Sequence, residues 1–288
     1  MMTRIQTQLK RLAGYTVLAS ALLLVTSAAQ AASIPYADNF DDDALGTTAP
    51  SEPAPESGTF AEDVDASWSV IDQGDGDRAY GVDVSGDDSG VDRPLTSTLD
   101  FGSTFDSDPT FRMSVDFNVN SYSDDGNRST AIGLGALGDA NDFSGPYYLG
   151  HFFWAYPAKT EQIGKLGLFE GGAAEVDVVS DDSVDVDSND HYRLTFEATP
   201  NGSELDLTLT IENLTKGQSA VVSATDPNPV TGPYFGFRSA LSSADSDSSL
   251  DAEFDNFSVA IPEPATMLVV MLGGVSVMLR RSRKRVRG

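Results

Sequence analysis

The chain has 288 residues, no cysteine and a formal net charge of −26 at pH 7. Between Ala32 and Ile261 lie 43 of its 44 acidic residues but only nine of its 18 basic residues, which leaves this part with about 34 net negative charges. Such a charge repels nucleic acid and excludes it as a partner. The lack of cysteine excludes disulfide bonds and thiolate metal ligands.

Residues 1–31 have the three parts of a secretory signal peptide. Arg4, Lys10 and Arg11 form a basic start, an apolar stretch follows, and Ala29-Gln30-Ala31 supplies small residues for cleavage. The alternative, a buried domain helix, leaves unexplained why no acidic residue occurs before Asp38. We therefore expect an N-terminal signal helix and an exported domain of residues 32–261, a length that one β domain can occupy.

Alternation of apolar and polar residues with a period of two dominates residues 32–261, and this pattern predicts β-strands. The longest run is Phe111 to Val119, and Asn201-Gly202 between two further runs predicts a hairpin turn. Many short strands without helical spacing predict an all-β, antiparallel β-sandwich of jelly-roll topology. The predicted strands are Trp68–Ile71, Ala79–Val84, Phe111–Val119, Ala131–Leu137, Tyr147–Trp154, Ile163–Phe169, Tyr192–Ala198, Leu205–Ile211, Tyr234–Phe237 and Phe254–Val259.

Three further segments have a composition or motif that needs its own interpretation. Thr47 to Ser57 contains three prolines and predicts a mobile surface loop. Gly133 to Gly138 matches the dinucleotide-binding fingerprint by letters, but turn formers follow it where a helix is needed, so close packing of a strand against another backbone is the better account. The aromatic run Tyr147 to Tyr156 fits core packing, with sugar stacking as the alternative.

The segments Tyr36 to Asp41 and Phe254 to Val259 resemble the first and last strands of concanavalin A-like or LamG-like jelly rolls, and Gly236 to Ser239 is similar to that family as well. The resemblance implies that the two terminal strands pair. It also implies a calcium site shared by these strands, formed by Asp38, Asp41 and Asp255, whereas solvated turn acids are the alternative interpretation. Structural calcium is the one cofactor that we consider.

Catalysis has weak support in the sequence. Retaining glucanases of this fold carry three carboxylates on one face of a strand. The nearest match, Glu175 to Ser180, has a serine in the third place. His151 and His191 are isolated and predict structural roles, and Asp185, Asp187 and Asn189 have EF-hand spacing but lack the turn glycine and closing glutamate.

Residues 262–288 combine three features in order. Pro262-Glu263-Pro264 is followed by 15 uncharged residues and then by the basic residues Arg280, Arg281, Arg283, Lys284, Arg285 and Arg287. At 1.5 Å per residue the apolar stretch spans ~22 Å, less than the ~30 Å hydrocarbon core. We expect a short C-terminal membrane helix with its basic residues in the cytoplasm; a core element of the domain is the alternative.

This tail resembles the PEP-CTERM sorting signal of Gram-negative bacteria. The resemblance implies recognition of Pro262, Glu263 and Pro264 by an exosortase-type processing enzyme, a transient inner-membrane anchor, and export linked to exopolysaccharide. We therefore expect a non-catalytic β-sandwich protein at the cell surface or in the extracellular matrix, with glycan and calcium as candidate ligands. A secreted glycan-active hydrolase or lyase of the concanavalin A-like fold is the alternative.

Overall fold

The computed structural model describes residues 35–52, 58–62, 68–74, 77–85, 93–123, 130–155, 163–170, 174–178, 184–241 and 249–262. Within these ranges no helix has the length and apolarity needed to cross a membrane. The predicted signal helix, membrane helix and basic cluster lie outside the described residues, as do Glu263 and Pro264.

The described residues form 18 strands and one 3₁₀ helix, η1 (Gly102–Phe105). The strands are β1 (Tyr36–Asp38), β2 (Ser51–Glu52), β3 (Gly58–Thr59), β4 (Ala61–Glu62), β5 (Trp68–Gly74), β6 (Asp77–Ser85), β7 (Arg93–Asp100), β8 (Phe111–Ser123), β9 (Thr130–Gly138), β10 (Tyr148–Ala155), β11 (Ile163–Glu170), β12 (Ala174–Val178), β13 (Val184–Asp185), β14 (Tyr192–Asn201), β15 (Glu204–Asn213), β16 (Gln218–Asp226), β17 (Tyr234–Leu241) and β18 (Ser249–Ala260).

Two antiparallel sheets of eight strands each make up the architecture. The first sheet has the order β16-β15-β14-β8-β18-β6-β5, with β1 also paired to β18. The second has the order β12-β11-β10-β9-β17-β7-β4, with β13 also paired to β11. The chain repeatedly passes from one sheet to the other, as in a sandwich in which each sheet covers the apolar face of its partner. The all-β antiparallel sandwich predicted from the sequence is thereby confirmed.

Alternation along the strands explains which face is buried. In β8 the residues Phe111, Met113, Val115 and Phe117 are buried, whereas the residues between them are at least partly exposed. The inward faces of both sheets meet in one core, where Phe254 of β18 and Phe237 of β17 have ring centroids 4.7 Å apart. Burial of these rings supplies the main stabilisation of the sandwich.

The terminal strands pair as the resemblance implied, with Tyr36 opposite Val259 and Asp38 opposite Phe257. The predicted hairpin is also present, since Asn201 pairs with Glu204 and leaves Gly202 and Ser203 as the two-residue turn. Gly202 has a φ of 71°, which glycine adopts without steric cost.

Two strands of full length escaped the sequence prediction. β7 begins with Arg93-Pro94 and contains Thr96, Ser97 and Thr98, which lack an apolar pattern yet are buried. Two of their hydroxyls have partners distant in the chain, since Ser97 Oγ lies 3.0 Å from Tyr80 Oη and Thr98 Oγ1 donates to the carbonyl of Asn141 at 2.9 Å. β16 is rich in serine and alanine and was missed for the same reason.

The predicted loop from Thr47 to Ser57 is partly ordered into a hairpin. β2 at Ser51–Glu52 pairs with β3 at Gly58–Thr59. Residues 53–57, which include two of the three prolines, lie outside the described part of the chain.

Candidate functional site

A cavity of about 250 Å³ opens on the outer face of the first sheet. It is built on β8 and β18, where the inward Phe117 and Phe254 alternate with outward polar residues. The register places Asp116 opposite Asp255 and Asn118 opposite Glu253. The polar side chains that line the cavity are Gln73, Asp77, Asp116, Asn118, Glu253 and Asp255.

Asp116 and Asp255 form the centre of this cavity. Arg193 holds Asp116 in a bidentate ion pair, with Nε to Oδ1 at 2.6 Å and Nη2 to Oδ2 at 2.7 Å. Asp255 accepts hydrogen bonds from the backbone N–H of Asn256 at 2.6 Å and from its Nδ2 at 2.8 Å. Two carboxylates thus face each other, and one of them has a fixed cationic partner.

A β-bulge shapes this centre. The pairing of β18 with β8 shifts register between Asp255 and Ser258, and Asn256 has a φ of 51°. Asparagine tolerates this left-handed conformation better than most residues, and the bulge directs its amide toward Asp116 Oδ2 at 3.3 Å. Bulges of this kind commonly redirect side chains beside functional sites.

The electrostatic environment shifts the titration of Asp255. Burial, together with the negative charges of Asp77, Asp116 and Asp41, raises the pKa of this carboxyl to about 6, although the hydrogen bond from Asn256 N–H acts in the opposite direction. Below about pH 6 the group is therefore protonated and donates a hydrogen bond, and above it the group is an acceptor only.

Amide side chains surround the neighbouring acid, Glu253. Gln73 Nε2 donates to Glu253 Oε2 at 3.0 Å, and Asn120 Nδ2 donates to Oε1 at 2.7 Å. Asn118 Nδ2 in turn donates to Asn120 Oδ1 at 2.9 Å. This network holds several donors and acceptors in fixed positions along the cavity.

The cavity lining also includes an apolar side chain and an imidazole. Leu214 is 44% exposed, and His191 is exposed as well. Their positions are set by the backbone, because Leu214 N–H donates to the carbonyl of His191 at 2.8 Å and His191 N–H donates to Thr215 Oγ1 at 2.9 Å. The expectation that His191 has a structural role did not anticipate this exposed position.

His151, in contrast, has the structural role predicted for it. Its Nε2 lies 2.8 Å from the carbonyl oxygen of Arg238, and burial lowers the pKa of the imidazole to about 4. The ring rests against β9, where a Cβ at Gly133 would overlap both the imidazole and the Arg238 carbonyl. The glycines of β9 therefore serve close packing, as predicted, and β9 is a strand throughout.

The three acids proposed to bind calcium have separate environments. Asp38 is buried and accepts hydrogen bonds from Tyr36 Oη at 3.0 Å and from Phe40 N–H at 2.7 Å. Asp41 Oδ1 accepts one from Arg78 N–H at 3.0 Å, and its charge acts on Asp255. Over the described ranges, no group of three or more histidine or acidic side chains is placed to hold a metal ion. The calcium site stays a prediction.

The segment with EF-hand-like spacing lies beside a lysine from the turn between β15 and β16. Lys216 Nζ lies 2.8 Å from Asp190 Oδ2, 3.8 Å from Asp187 and 3.9 Å from Asp185. The hydrogen bond to Asp190 and the charges of these acids raise the pKa of Lys216. Asp190 also accepts a hydrogen bond from Asn213 Nδ2 at 2.7 Å, so the lysine ammonium offsets part of the negative charge of the acidic turn.

Of the two β18 acids that line the cavity, the sequence singled out Asp255 as a candidate calcium ligand, whereas Glu253 was missed. Asp251-Ala252-Glu253-Phe254-Asp255 places three acids on the outer face, separated by the buried Ala252 and Phe254. The signal was a period-two run of acids, which is the arrangement sought at Glu175. Glu253 directly precedes Phe254 to Val259, the segment on which the family resemblance rests.

No protein-family model and no curated protein matches the sequence. Among solved structures, the lectin UEA-II complexed with galactose has a TM-score of 0.45 and 10% identity, covering 80% of this chain and 100% of that chain. Lectin I from Ulex europaeus, in complex with the methyl glycoside of α-L-fucose, has a TM-score of 0.44 and 10% identity, covering 80% and 99%.

A scytalido-glutamic peptidase with a transition state analog inhibitor has a TM-score of 0.38 and 17% identity, covering 53% of this chain and 75% of that chain. All three TM-scores are below 0.5. The strand pairings and buried faces described above, and not these likenesses, therefore establish the sandwich.

Proposed function

We propose that this chain is an exported, non-catalytic β-sandwich protein that binds glycan in the cavity on the outer face of its first sheet. The observation that carries the proposal is the lining of that cavity, where carboxylates, amides and an apolar side chain lie within about 250 Å³. A concave site with a few fixed polar groups and an apolar wall is typical of small-ligand binding.

Each part of the lining suits one feature of a sugar. Asp255 and Glu253 have acceptor oxygens for hydroxyl groups, and the amide of Asn118 offers both a donor and an acceptor. Leu214 and His191 provide a surface for the C–H face of a sugar ring. The hydrogen bonds among Gln73, Asn120 and Glu253 hold these groups in place before the ligand arrives, which lowers the entropic cost of binding.

Binding of a glycan array by the purified protein tests this proposal. Asn118→Ala removes an amide and Leu214→Ser removes apolar surface, so we expect each to weaken binding of the best glycan at least ~10-fold. Asn201→Ala, at the opposite end of β14 from His191, is the matched control and should bind as the parent does. Equal binding by all variants would place the glycan elsewhere and contradict the proposal.

One observation favours a glycan-active hydrolase as the second candidate. Asp255 has a raised pKa and faces Asp116, which is paired with Arg193. Most glycoside hydrolases use such a pair, in which one carboxyl group is protonated and the other is ionised. Reducing ends released from the bound glycan by the parent, and not by Asp255→Asn, would favour this candidate. Binding without release favours the non-catalytic module.

The route of the protein to its site of action is part of the proposal. The signal peptide of residues 1–31 directs export, the tail of residues 262–288 anchors the chain transiently in the inner membrane, and an exosortase-type enzyme processes it near Pro262, Glu263 and Pro264. The domain of residues 32–261 then acts at the cell surface or in the matrix. The large negative charge outside and the basic cluster inside support this orientation.

A further inference from the structure

The cavity on the outer face of the first sheet contains more negative charge than hydrogen bonding to a neutral sugar requires. Its lining includes the carboxyl groups of Asp77, Asp116, Glu253 and Asp255, and it includes no lysine or arginine. Arg193, which is outside the lining, forms an ion pair with Asp116. Over the described residues, the other three carboxyl groups have no lysine or arginine within ion-pairing distance. The cavity therefore has an excess of negative charge that a ligand can offset.

The carboxyl group of Asp255 shows the electrostatic cost of this arrangement. Burial and the charges of Asp77, Asp116 and Asp41 disfavour its ionised form, so it retains its proton to a higher pH than an ordinary aspartate does. A positive group inside the cavity favours the ionised form, and this gain is coupled to the binding of that group. The site is thus organised to reward a cationic ligand.

The acids continue along β18 beyond the cavity. Asp251 lies two residues before Glu253 on the same face, and its register partner on β6 is another acid, Asp83. Like charges directly opposite each other destabilise a sheet. From Asp251 to Asp255 the strand extends for ~13 Å at ~3.3 Å per residue. A polymer with positive charges in series can contact the cavity and this extension together.

The geometry favours an organic cation over a bare metal ion. A metal ion needs several oxygen ligands that converge at short distance, and among the described residues no group of three or more histidine or acidic side chains is placed in this way. Both oxygens of Asp116 are already bound by Arg193. An ammonium group has three N–H donors and can use acceptors on different sides of a cavity.

The rest of the lining suits the frame that bears the ammonium group. The amides of Gln73 and Asn118 can bind hydroxyl groups, and Leu214 with His191 can contact C–H groups. A glycan rich in carboxylates or sulfates is disfavoured, because its charges would lie against Asp255 and its neighbours. Among glycans, those with free amino groups combine the hydroxyls, the C–H surface and the positive charge.

We propose that the glycan bound in this cavity is a polysaccharide of amino sugars whose amino groups are free and not acetylated. An ammonium group pairs with Asp255 and Asp77, while ring hydroxyls bind the neighbouring amides. Acetylation removes the positive charge and leaves both carboxylates without a cationic partner. Because it names the class of glycan for the same cavity, this inference rests on the proposed function.

Three hexasaccharides that differ in one substituent test the inference. Hexamers of glucosamine, N-acetylglucosamine and glucose with the same β linkage have an ammonium, an acetamido or a hydroxyl group on the second ring carbon. In calorimetric titrations of the full chain at mildly acidic pH, where the amino groups carry charge, the glucosamine hexamer should bind at least ~10-fold more tightly than either of the others. Equal affinities, or a preference for an uncharged hexamer, would overturn the inference.

Charge variants locate the preference within the molecule. Asp77→Asn and Asp255→Asn each remove one charge at nearly constant shape, so each should lower the preference for the glucosamine hexamer over the glucose hexamer at least ~5-fold. Glu204→Gln, at the exposed start of β15, removes the same charge away from the cavity and is the matched control. An equal decrease in Glu204→Gln would indicate general attraction to an acidic surface and contradict the inference. Asp77 is exposed, so Asp77→Asn decides the outcome if Asp255→Asn does not fold.

Competition with other cations and the uncharged hexamers complete the test. Spermidine, which lacks a sugar frame, should bind at least ~10-fold more weakly than the glucosamine hexamer, and a chelator should leave hexamer binding unchanged. Equal binding of spermidine, or loss of binding in chelator, would refute the inference. If the glucose hexamer binds, Asn118→Ala weakens it and the glucosamine hexamer has no advantage, the inference fails and the proposed function stands. If no glycan binds in the cavity, both fail.

Discussion

At the scale of single residues, aspartates of one chemical type are placed in three different environments. Asp38 is an internal acceptor for Tyr36 and Phe40, and Asp190 is paired with the Lys216 ammonium. Asp255 instead lies among other acids in the cavity. Hydrogen bonds at Asp38 and the lysine charge at Asp190 favour the ionised carboxylate. The neighbouring acids at Asp255 disfavour the ionised form.

Asp255→Asn is expected to stabilise the protein at alkaline pH. Folding raises the pKa of Asp255 from near 4 to about 6, so the native state binds more protons in this interval and loses stability as pH rises through it. The full shift corresponds to ~3 kcal/mol, which solvent around a half-buried carboxyl reduces to ~1 kcal/mol. Thermal melting at pH 8 and pH 3.5 measures the effect.

The gain in melting temperature should appear at pH 8 and become small at pH 3.5, where the parent carboxyl is mostly neutral in both states. Asp106→Asn, at an exposed position, is the control, and its effect on the melting temperature should be the same at both pH values. An equal gain at both pH values would mean that packing, and not charge, explains the effect.

At the scale of elements, the outer face of the second sheet depends on the glycines of β9. The segment between β9 and β10 folds back so that Phe143 lies on Gly135 and Gly138, and Tyr147 and Leu149 complete a small apolar cluster. Phe143 has a φ of 53°, an unfavourable conformation for a bulky residue. The packing of its ring on the glycine surface offsets this strain.

Gly135→Ala should therefore destabilise the fold by ~1–3 kcal/mol, because the added methyl overlaps the Phe143 ring. In the Phe143→Ala variant, Gly135→Ala should lower the free energy of unfolding only slightly, because the overlapping ring is absent. Gly81→Ala is the matched strand control, because its methyl meets only the flexible end of Ile71. Chemical denaturation of the four variants measures these differences, and a cost that persists without the ring would contradict this explanation.

At the scale of the whole molecule, charge separates the parts of the chain. The central part carries about 34 net negative charges, while nine of the 18 basic residues lie in the two terminal segments. A strongly acidic surface keeps a domain soluble and opposes non-specific association.

Mass spectrometry of the native protein is expected to show loss of the segment from Arg280 to Gly288 after processing near Pro262-Glu263-Pro264. Changing Pro262 and Pro264 to alanine should block processing and retain the protein in the inner membrane. The same double change in Pro227-Asn228-Pro229, a second Pro-x-Pro sequence after β16, is the control. If the parent protein in the cell envelope retains its C-terminus, the tail acts as a membrane anchor and is not a processed sorting signal.

The predicted strands followed from local patterns that survive in the structure. β8 and β15 bury one face because their apolar residues alternate, and this needs no knowledge of their neighbours. β7 could not be predicted in this way, because its buried Ser97 and Thr98 form their side-chain hydrogen bonds with residues distant in the chain. The acids of β18 had a visible pattern, but nothing local linked them to Asp116 or Gln73.

The sequence by itself determined that the domain is an acidic, antiparallel β-sandwich, because strand periodicity and composition are local properties of the chain. Tertiary structure alone decided that Asp116 faces Asp255 and that Lys216 pairs with Asp190 in a distant turn. These contacts depend on strand order and register between segments far apart in the chain. A period of two specifies which face a residue occupies and leaves its neighbours on that face undetermined.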